Sequence, residues 1–245
     1  MNEPFVISFA NGSSALAVEL HSYGDIESGC VALGLATRPT LVLIGGAGGL
    51  ADREAAQIRP LFVETVARLI DALGAQVVDG GTDAGVMRIM GGARAELAFR
   101  FPLVGVAAGD TVAVPGRDVS AEAAHLEPNH SHFLLVAGSG WGSETPWIAR
   151  AATVLAGEHA SLTLLVNGGE ISWDDAFQSV AAKRPVVAVA GSGGTADAVV
   201  AQLRGAEVDG RARQLAASGL VLAAERMDGG ASVGAILDRL LGGGA

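Results

Sequence analysis

The sequence predicts an α/β, Rossmann-like three-layer fold, in which a mainly parallel central sheet lies between two layers of helices, with a β-hairpin at the amino terminus. Three observations support this prediction. From Thr40 onward, short aliphatic and β-branched runs alternate with longer helical patterns, as in parallel sheets whose crossovers are helices. The runs are continuously apolar, which is typical of strands covered on both faces. Glycines cluster directly after five of the runs.

Composition limits the class of protein. Of the 245 residues, 50% are hydrophobic and 17% are charged, so the chain has enough apolar material for one core, and we expect a single domain over residues 1–245. No apolar run approaches the roughly 18 residues that a membrane span requires. The formal net charge of −10 argues against nucleic-acid binding, because that function needs an excess of basic side chains.

Residues 1–36 are expected to form an extension made of a hairpin and a short helix. Asn11-Gly12 lies between two strand-like segments and accepts the backbone conformation of a tight turn. The helix contains Cys30, the only cysteine, which we interpret as a small buried hydrophobe. The opening residues lack the pattern of a secretory signal, and one cysteine cannot form an internal disulfide, so we expect a cytoplasmic protein.

Seven apolar runs are predicted as the strands of the parallel sheet. They cover residues 41–44, 76–78, 103–106, 133–136, 162–166, 186–189 and 220–223. Ala-rich helical patterns lie between them, for example over residues 55–73 and 85–99. Residues 110–129 have no clear period, and we expect them to form an excursion over the sheet.

The positions of the glycines are the main evidence for function. The carboxyl ends of parallel strands meet at one edge of a sheet, where such folds bind ligands. Glycine lets backbone N–H groups approach an anion, and each following helix adds the positive end of its dipole. One cluster can equally serve a tight turn, but five clusters at one edge predict a ligand that bears phosphate. The clusters contain Gly45, Gly46, Gly48 and Gly49; Gly80, Gly81 and Gly85; Gly138 and Gly140; Gly168 and Gly169; and Gly191, Gly193 and Gly194.

Two common nucleotide-binding motifs are absent or incomplete. The pattern GxxxxGK[ST] does not occur, and Lys183 is the only lysine, which excludes a P-loop NTPase. The dinucleotide fingerprint aligns as Gly46-x-Gly48-x-x-Ala51. Its acid is expected about 20 residues later, and Asp79 lies well beyond that distance. A nicotinamide-dependent dehydrogenase is therefore only a secondary alternative.

Four motifs occur in order along the chain, GGTDAGVM, PNHSHFLLV, VNGGEISWDDA and PVVAVAGSGGTAD. Together they resemble the SLOG superfamily, and within it the prokaryotic branch related to the amino-terminal nucleotide-binding domain of TRPM cation channels. The resemblance implies a Rossmann-like domain that binds a nucleotide derivative, typically ADP-ribose or another NAD-derived molecule, and that requires no cofactor. Carried over by position, it implies three phosphate-contacting turns: Gly80, Gly81, Thr82, Gly85 and Val86; Gly168, Gly169 and Ser172; and Gly191, Ser192, Gly193 and Thr195.

Another branch of the superfamily is enzymatic and hydrolyses nucleoside monophosphates to the free base and phosphoribose. Its members carry an Arg-Lys pair and a PGGxGTxxE turn. Here HLEPNHSHF has no adjacent basic pair, Ile171 replaces a glycine of the turn, and Asp175 stands where the longer Glu would be. A hydrolase of N-glycosidic or phosphate bonds is thus the alternative function, with His130, His132 and Asp175 as candidate catalytic residues.

The segment from Asn129 to His132 directly precedes a predicted strand. In an extended chain His130 and His132 point to the same side. Three interpretations stay open: ligand contacts from one histidine and Asn129, pinning of the excursion onto the sheet, or metal ligation with His125 or Glu127. No further cluster has the spacing of metal ligands, so no metal is expected.

Four other side chains near the predicted turns are assigned roles from their residue types. We interpret Trp141 and Trp147 as packing residues, with stacking on a base as the alternative, Glu144 as an acid that can hold a ribose, and Asp83 as a helix cap or ribose contact. We expect the protein to form a homo-oligomer with a small-molecule nucleotide as its partner, and the sequence identifies no effector protein. The substitution Gly81→Val is expected to block phosphate binding and to leave the fold intact.

Overall fold

The computed structural model describes residues 3–47, 50–117 and 122–243. Within these residues the strands are β1 (Phe5–Ser8), β2 (Ser14–Leu20), β3 (Thr40–Gly45), β4 (Gln76–Asp79), β5 (Leu103–Ala108), β6 (Val112–Ala113), β7 (Ala124–His125), β8 (His132–Val136), β9 (Ser161–Val166), β10 (Val186–Ala190) and β11 (Val221–Glu225). The helices are α1 (Ile26–Ala32), α2 (Asp52–Pro60), α3 (Ala67–Ala72), α4 (Gly85–Glu96), α5 (Thr145–Ala156), α6 (Glu170–Ala181), α7 (Gly194–Leu203), α8 (Gly210–Ala217) and α9 (Ala231–Leu241).

Nine of the strands in the described ranges form one sheet, in the order β1-β2-β8-β5-β4-β3-β9-β10-β11. β3 pairs in parallel with both β4 and β9, so the chain moves outward from β3 to β5 on one side and from β9 to β11 on the other. The six strands from β5 to β11 in this order have the 3-2-1-4-5-6 arrangement of a Rossmann fold. The predicted α/β fold with a mainly parallel sheet is confirmed.

The amino-terminal hairpin is also confirmed, and it extends the sheet. β1 and β2 are antiparallel, with Phe5 opposite Ala17, and the turn between them has Gly12 at a φ of 85°. Asn11 accepts a hydrogen bond from the backbone N–H of Ser13 through Oδ1 (3.0 Å). β2 pairs in parallel with β8, so the hairpin supplies the two strands at that edge.

Helices cover the sheet on both faces, because successive side chains of each central strand point to opposite sides. Val42 and Ile44 of β3 pack in a cluster with residues of α1, α5, α6, α7 and α8. Leu41 and Leu43 pack in a second cluster with residues of α2, α3, α4 and α9. Cys30 lies in the first cluster, where burial, aided by Glu27, raises the pKa of its thiol to about 12.

The long helix predicted over residues 55–73 consists of α2, a π-helical turn (Leu61–Val66) and α3. The π-helical turn begins directly after Pro60, which has no N–H to donate to the helical ladder. Among the helices of the described ranges, none is long and apolar enough to cross a membrane.

The predicted excursion over residues 110–129 packs onto the sheet beside the hairpin. β6 and β7 form a short parallel pair within it, and Val112, Val114 and Leu126 join Phe133 and Leu135 in a third apolar cluster. Residues 118–121 of the excursion lie outside the described ranges.

Candidate functional site

Three glycine-containing turns lie side by side at the carboxyl edge of the sheet. They follow the neighbouring strands β3, β9 and β10 and contain Gly45–Gly46, Asn167–Gly169 and Gly191–Gly193. The register places Gly45 directly opposite Val166. The direction of the chain's progress across the sheet reverses between β3 and β9, and this switch point is where open α/β sheets form a ligand crevice.

Asn167 joins the three turns, and sequence reasoning did not identify it. Its backbone N–H donates to Ser192 Oγ (2.8 Å), its Nδ2 donates to Ser192 O (2.8 Å), and its Oδ1 accepts from Gly168 N–H (2.7 Å). A Cβ on Gly46 would lie 2.7 Å from Asn167 Oδ1, and one on Gly193 would lie 2.7 Å from Nδ2. The signal for Asn167 was its position between a strand and Gly-Gly, since asparagine tolerates the left-handed φ of 60° that it adopts.

Other glycines of the predicted site are required by close approach of the backbone. A Cβ on Gly85 would overlap Gly46 O, and one on Gly194 would overlap Gly168 O. In the same places Val86 N–H donates to Gly46 O (3.0 Å) and Thr195 N–H donates to Gly168 O (3.0 Å). Helices α4 and α7 therefore begin directly against the turns that follow β3 and β9.

Backbone amide groups at two helix starts of the site remain available to a ligand, among them those of Gly169 and Gly193. The backbone N–H groups of Gly169 and Gly193 have no acceptor in the part of the chain that the structure describes, and these residues cap the amino termini of α6 and α7. A Cβ on Gly169 would meet nothing within 4 Å. The geometry thus offers two adjacent helix amino termini with free donors, the arrangement that binds anions in many nucleotide sites.

The hydroxyl groups predicted to contact phosphate already have partners in the protein. Ser172 Oγ donates to Gly45 O (3.4 Å), Ser192 Oγ donates to Val189 O (2.6 Å), and Thr195 Oγ1 donates to Gly169 O (2.9 Å). Backbone amides, not these hydroxyls, are therefore the donors that face the crevice.

The turn after β4 differs from the expectation. Gly81 N–H donates to Asp79 Oδ1 (2.8 Å), and a Cβ on Gly81 would lie 2.8 Å from Gly105 Cα and 3.0 Å from the Phe133 ring. Thr82 is buried and forms a β-bridge with Leu126. The expectation that Gly81→Val leaves the fold intact is wrong, because the side chain would enter a packed interior at a φ of 67°.

Gly80 differs from Gly81, since a Cβ there would meet nothing within 4 Å.

Three further predicted roles have different outcomes. Asp83 pairs with Arg88 (2.7 Å) rather than capping α4, whose N-cap is Ala84. Gly191 N–H donates to Asp197 Oδ1 (2.6 Å). The predicted contacts at Gly48 and Gly49 lie outside the described residues.

His130 is enclosed in the interior between two carboxylates. Its Nε2 lies 2.8 Å from Asp79 Oδ1, and its Nδ1 lies 2.8 Å from Glu127 Oε2, with all three side chains at most 2% exposed. Burial lowers the pKa of His130, but Asp79 and Glu127 outweigh burial and raise it to about 9. Of the three interpretations, this geometry matches pinning of the excursion onto the sheet. Asp79 is enclosed in the same way, so it cannot contact the ribose of a nicotinamide cofactor as the acid of a dehydrogenase would.

His132 and Asn129 lie away from the crevice. His132 is the first residue of β8, and a residue at the start of a parallel strand lies at the amino edge, opposite the ligand edge. Burial, with a contribution from Arg94, lowers the pKa of His132 to about 4. Asn129 donates through N and Nδ2 to Glu127 (2.9 and 2.6 Å). In the described ranges no group of three histidine, cysteine or acidic side chains is placed to hold a metal ion.

Two carboxyl groups with raised pKa values, those of Asp175 and Glu144, lie on α6 and just before α5. Asp175 follows Ser172 by three residues, which places both on one side of the helix, and its Oδ1 is buried with no hydrogen-bond partner among the described residues. Burial raises the pKa of Asp175 to about 7, against the opposing effect of the neighbouring Thr145 hydroxyl, and the charges of Glu144 and Asp174 act in the same direction as burial. Burial also raises the pKa of Glu144, which accepts a hydrogen bond from Gly142 N–H (2.9 Å).

The tryptophans differ in exposure. Trp147 is buried, with its ring centroid 4.3 Å from that of Tyr23, and Trp173 is buried beneath the Arg211 guanidinium. Trp141 is 54% exposed. The packing interpretation therefore holds for Trp147 and not for Trp141.

Comparison with known proteins agrees with this architecture. A family model described as SLOG in TRPM, prokaryote, matches residues 38–233. No curated protein matches the chain. One similar solved structure is TM1055, an X-ray structure determined in structural genomics, with 20% identity and a TM-score of 0.51 over 76% of this chain and 91% of that chain. Another is the molybdenum cofactor carrier protein of Chlamydomonas reinhardtii, with 18% identity and a TM-score of 0.53 over 84% of this chain and 99% of that chain.

At these identities the likeness to solved structures shows the fold alone. The family match covers most of the chain and includes the turns after β3, β4, β9 and β10. The chain belongs to the prokaryotic SLOG-in-TRPM family.

Proposed function

We propose that the chain binds a phosphate-bearing nucleotide derivative, NAD-derived and similar to ADP-ribose, in the crevice outside β3, β9 and β10. The observation that carries this proposal is the pairing of two free amide donors, those of Gly169 and Gly193, at adjacent helix amino termini beside the switch point of the sheet. Family membership supports a nucleotide ligand.

Backbone donors explain how a protein with a net charge of −10 can hold an anionic ligand. The positive ends of the α6 and α7 dipoles act over the first turn of each helix, so the attraction is local. Two neighbouring anion positions suit a ligand with two linked phosphates, such as ADP-ribose, better than a ligand with one.

Titration of the wild-type chain tests the proposal. We expect ADP-ribose to bind more tightly than AMP, because only ADP-ribose can occupy both helix termini. In thermal unfolding, ADP-ribose at 100 times its Kd should add about 2.7 kcal/mol to the free energy of unfolding. Isothermal calorimetry with ADP-ribose, AMP and NAD gives the ranking, and the absence of heat and of stabilisation with all three would reject nucleotide binding.

Hydrolysis of an N-glycosidic or phosphate bond is the second candidate function, and the Asp175 carboxyl favours it. A carboxyl group whose pKa is about 7 is half protonated near neutral pH and can donate a proton to a leaving group. The candidate catalytic residues His130 and His132 are not available for this role, since one is enclosed and the other lies at the opposite edge. Glu144 is the titratable neighbour that the structure offers instead.

A turnover assay decides between binding and hydrolysis. If Asp175 is a general acid, chromatography after incubation with AMP, NAD or ADP-ribose will show product, and the rate will fall as the pH rises through about 7. Asp175→Asn should then reduce turnover by about 100-fold or more. If the nucleotides are unchanged after incubation with the wild-type chain, hydrolysis is rejected and the binding function remains.

A further inference from the structure

We infer that Trp141 provides the surface on which the aromatic base of the nucleotide stacks; this assignment rests on the proposed function and deepens it. The assignment predicts that the ligand is a nucleotide with an aromatic base and not a simple sugar phosphate.

Trp141 is exposed to solvent, unlike the other two tryptophans. The other two tryptophans are 5% and 6% exposed, whereas Trp141 is 54% exposed. Within the described ranges its ring has no aromatic or cation–π partner. Single exposed apolar side chains are common on protein surfaces, so the assignment of Trp141 depends on the position of its turn as well as on its exposure.

The backbone around Trp141 holds the indole outward. Gly140 and Gly142 flank it with φ values of 89° and 92°, a conformation that favours glycine. Ser143 Oγ donates to Gly140 O (2.8 Å), and Gly142 N–H donates to Glu144 Oε2 (2.9 Å). These bonds close the turn on itself, so the ring is presented by an ordered backbone and little further ordering is needed when a ligand binds.

The turn lies against the helix that carries the free amide of Gly169. A Cβ on Gly142 would lie 3.6 Å from Ile171 Cγ1, and Ile171, 37% exposed, is the second residue of α6. The turn that carries Trp141 therefore packs beside the amino terminus of α6, where the phosphate would bind, and both Trp141 and Ile171 are exposed there.

An unsatisfied polar atom lies in the same neighbourhood. Asp175 Oδ1 is buried without a hydrogen-bond partner among the residues that the structure describes, and the charge of Glu144 acts on this carboxyl. A ribose carries hydroxyl donors between its phosphate and its base. Amide donors, a carboxyl acceptor and an indole face are therefore all within one region, and they match the three parts of a nucleotide.

Intrinsic fluorescence and calorimetry test the assignment with two probes, ADP-ribose and ribose 5-phosphate, which lacks a base. ADP-ribose should quench the emission of the exposed Trp141, and ribose 5-phosphate should bind without quenching. Trp141→Ala should weaken ADP-ribose binding by about 10- to 100-fold and leave ribose 5-phosphate affinity unchanged, whereas Trp141→Phe should retain most of the affinity. Met227→Ala removes another exposed apolar side chain and serves as the matched control.

The outcomes separate the two claims. Binding of ADP-ribose that is unchanged in Trp141→Ala would overturn the stacking assignment while the proposed function stands. Loss of affinity for both probes in Trp141→Ala would also overturn it, because the effect would then lie in the turn and not in the base. Failure of the wild-type chain to bind either probe would overturn both claims together.

Discussion

Replacing His130 by alanine is expected to destabilise the protein by about 3–5 kcal/mol, because two buried carboxylates would lose the cation between them. Asp79 and Glu127 each lie 2.8 Å from a ring nitrogen of His130. The network connects β4 to the excursion, so its loss should free the excursion from the sheet. Urea unfolding monitored by circular dichroism measures the change.

The matched control is His159→Ala, which removes an exposed histidine and should change stability by less than about 0.5 kcal/mol. Replacing both carboxylates and the histidine by amides, as Asp79→Asn, Glu127→Gln and His130→Gln together, should recover much of the loss because no buried charge remains. If His130→Ala lowers the free energy of unfolding by less than about 1 kcal/mol, His130 does not stabilise the two buried carboxylates.

The same network predicts how stability depends on pH. The pKa of His130 is raised in the folded state to about 9 from its ordinary value of 6.5, so its stabilising contribution is complete below pH 6.5 and is lost as the pH rises through 9. The free energy of unfolding of the wild-type chain should therefore decrease between these values. His130→Ala should lack this component of the decrease, and identical pH profiles for the two chains would contradict the assignment.

Gly169→Asp is expected to weaken nucleotide binding by about 100-fold or more. An aspartate at this N-cap would accept the free N–H groups of α6 and put a negative charge where the phosphate binds. Two like charges about 4 Å apart repel by about 4 kcal/mol at an effective dielectric constant of 20, which exceeds the energy of a 100-fold change. Calorimetric titration with ADP-ribose measures the loss.

The fold should tolerate this substitution. A Cβ at Gly169 meets nothing within 4 Å, and aspartate is a favoured N-cap residue, so the thermal unfolding temperature should stay the same or rise. Gly92→Asp makes the same change of charge at an exposed position of α4 that also has open space, and it should leave affinity unchanged. Equal affinities for wild type and Gly169→Asp would remove the α6 terminus from the site.

Much of the fold followed from local patterns in the sequence. The runs 41–44 and 162–166 became the central strands β3 and β9, because continuous apolar runs suit strands that are covered on both faces. Asn11-Gly12 formed the hairpin turn for an equally local reason, its tolerance of left-handed backbone. Three of the glycine clusters fell in the neighbouring turns after β3, β9 and β10, at the edge where we propose that the ligand binds.

The roles of individual side chains were harder to predict. Both histidines were candidate ligand contacts, although His132 is the first residue of β8 and so lies at the opposite edge of the sheet. Asn167 entered the sequence analysis only as part of the motif VNGGEISWDDA, and its contacts with Ser192 depend on a turn 25 residues later.

By itself, the sequence determined the α/β class, the strands of the large sheet, the amino-terminal hairpin and the family, because these depend on periodicity, turn chemistry and short motifs. The tertiary structure alone decided at which glycines the space beside the backbone is occupied by the protein and at which it stays open. Gly81 meets Gly105 and Phe133 while Gly169 meets nothing, and His130 reaches Asp79 across 51 positions of sequence. Such contacts join segments that are distant along the chain, and folding is what brings them together.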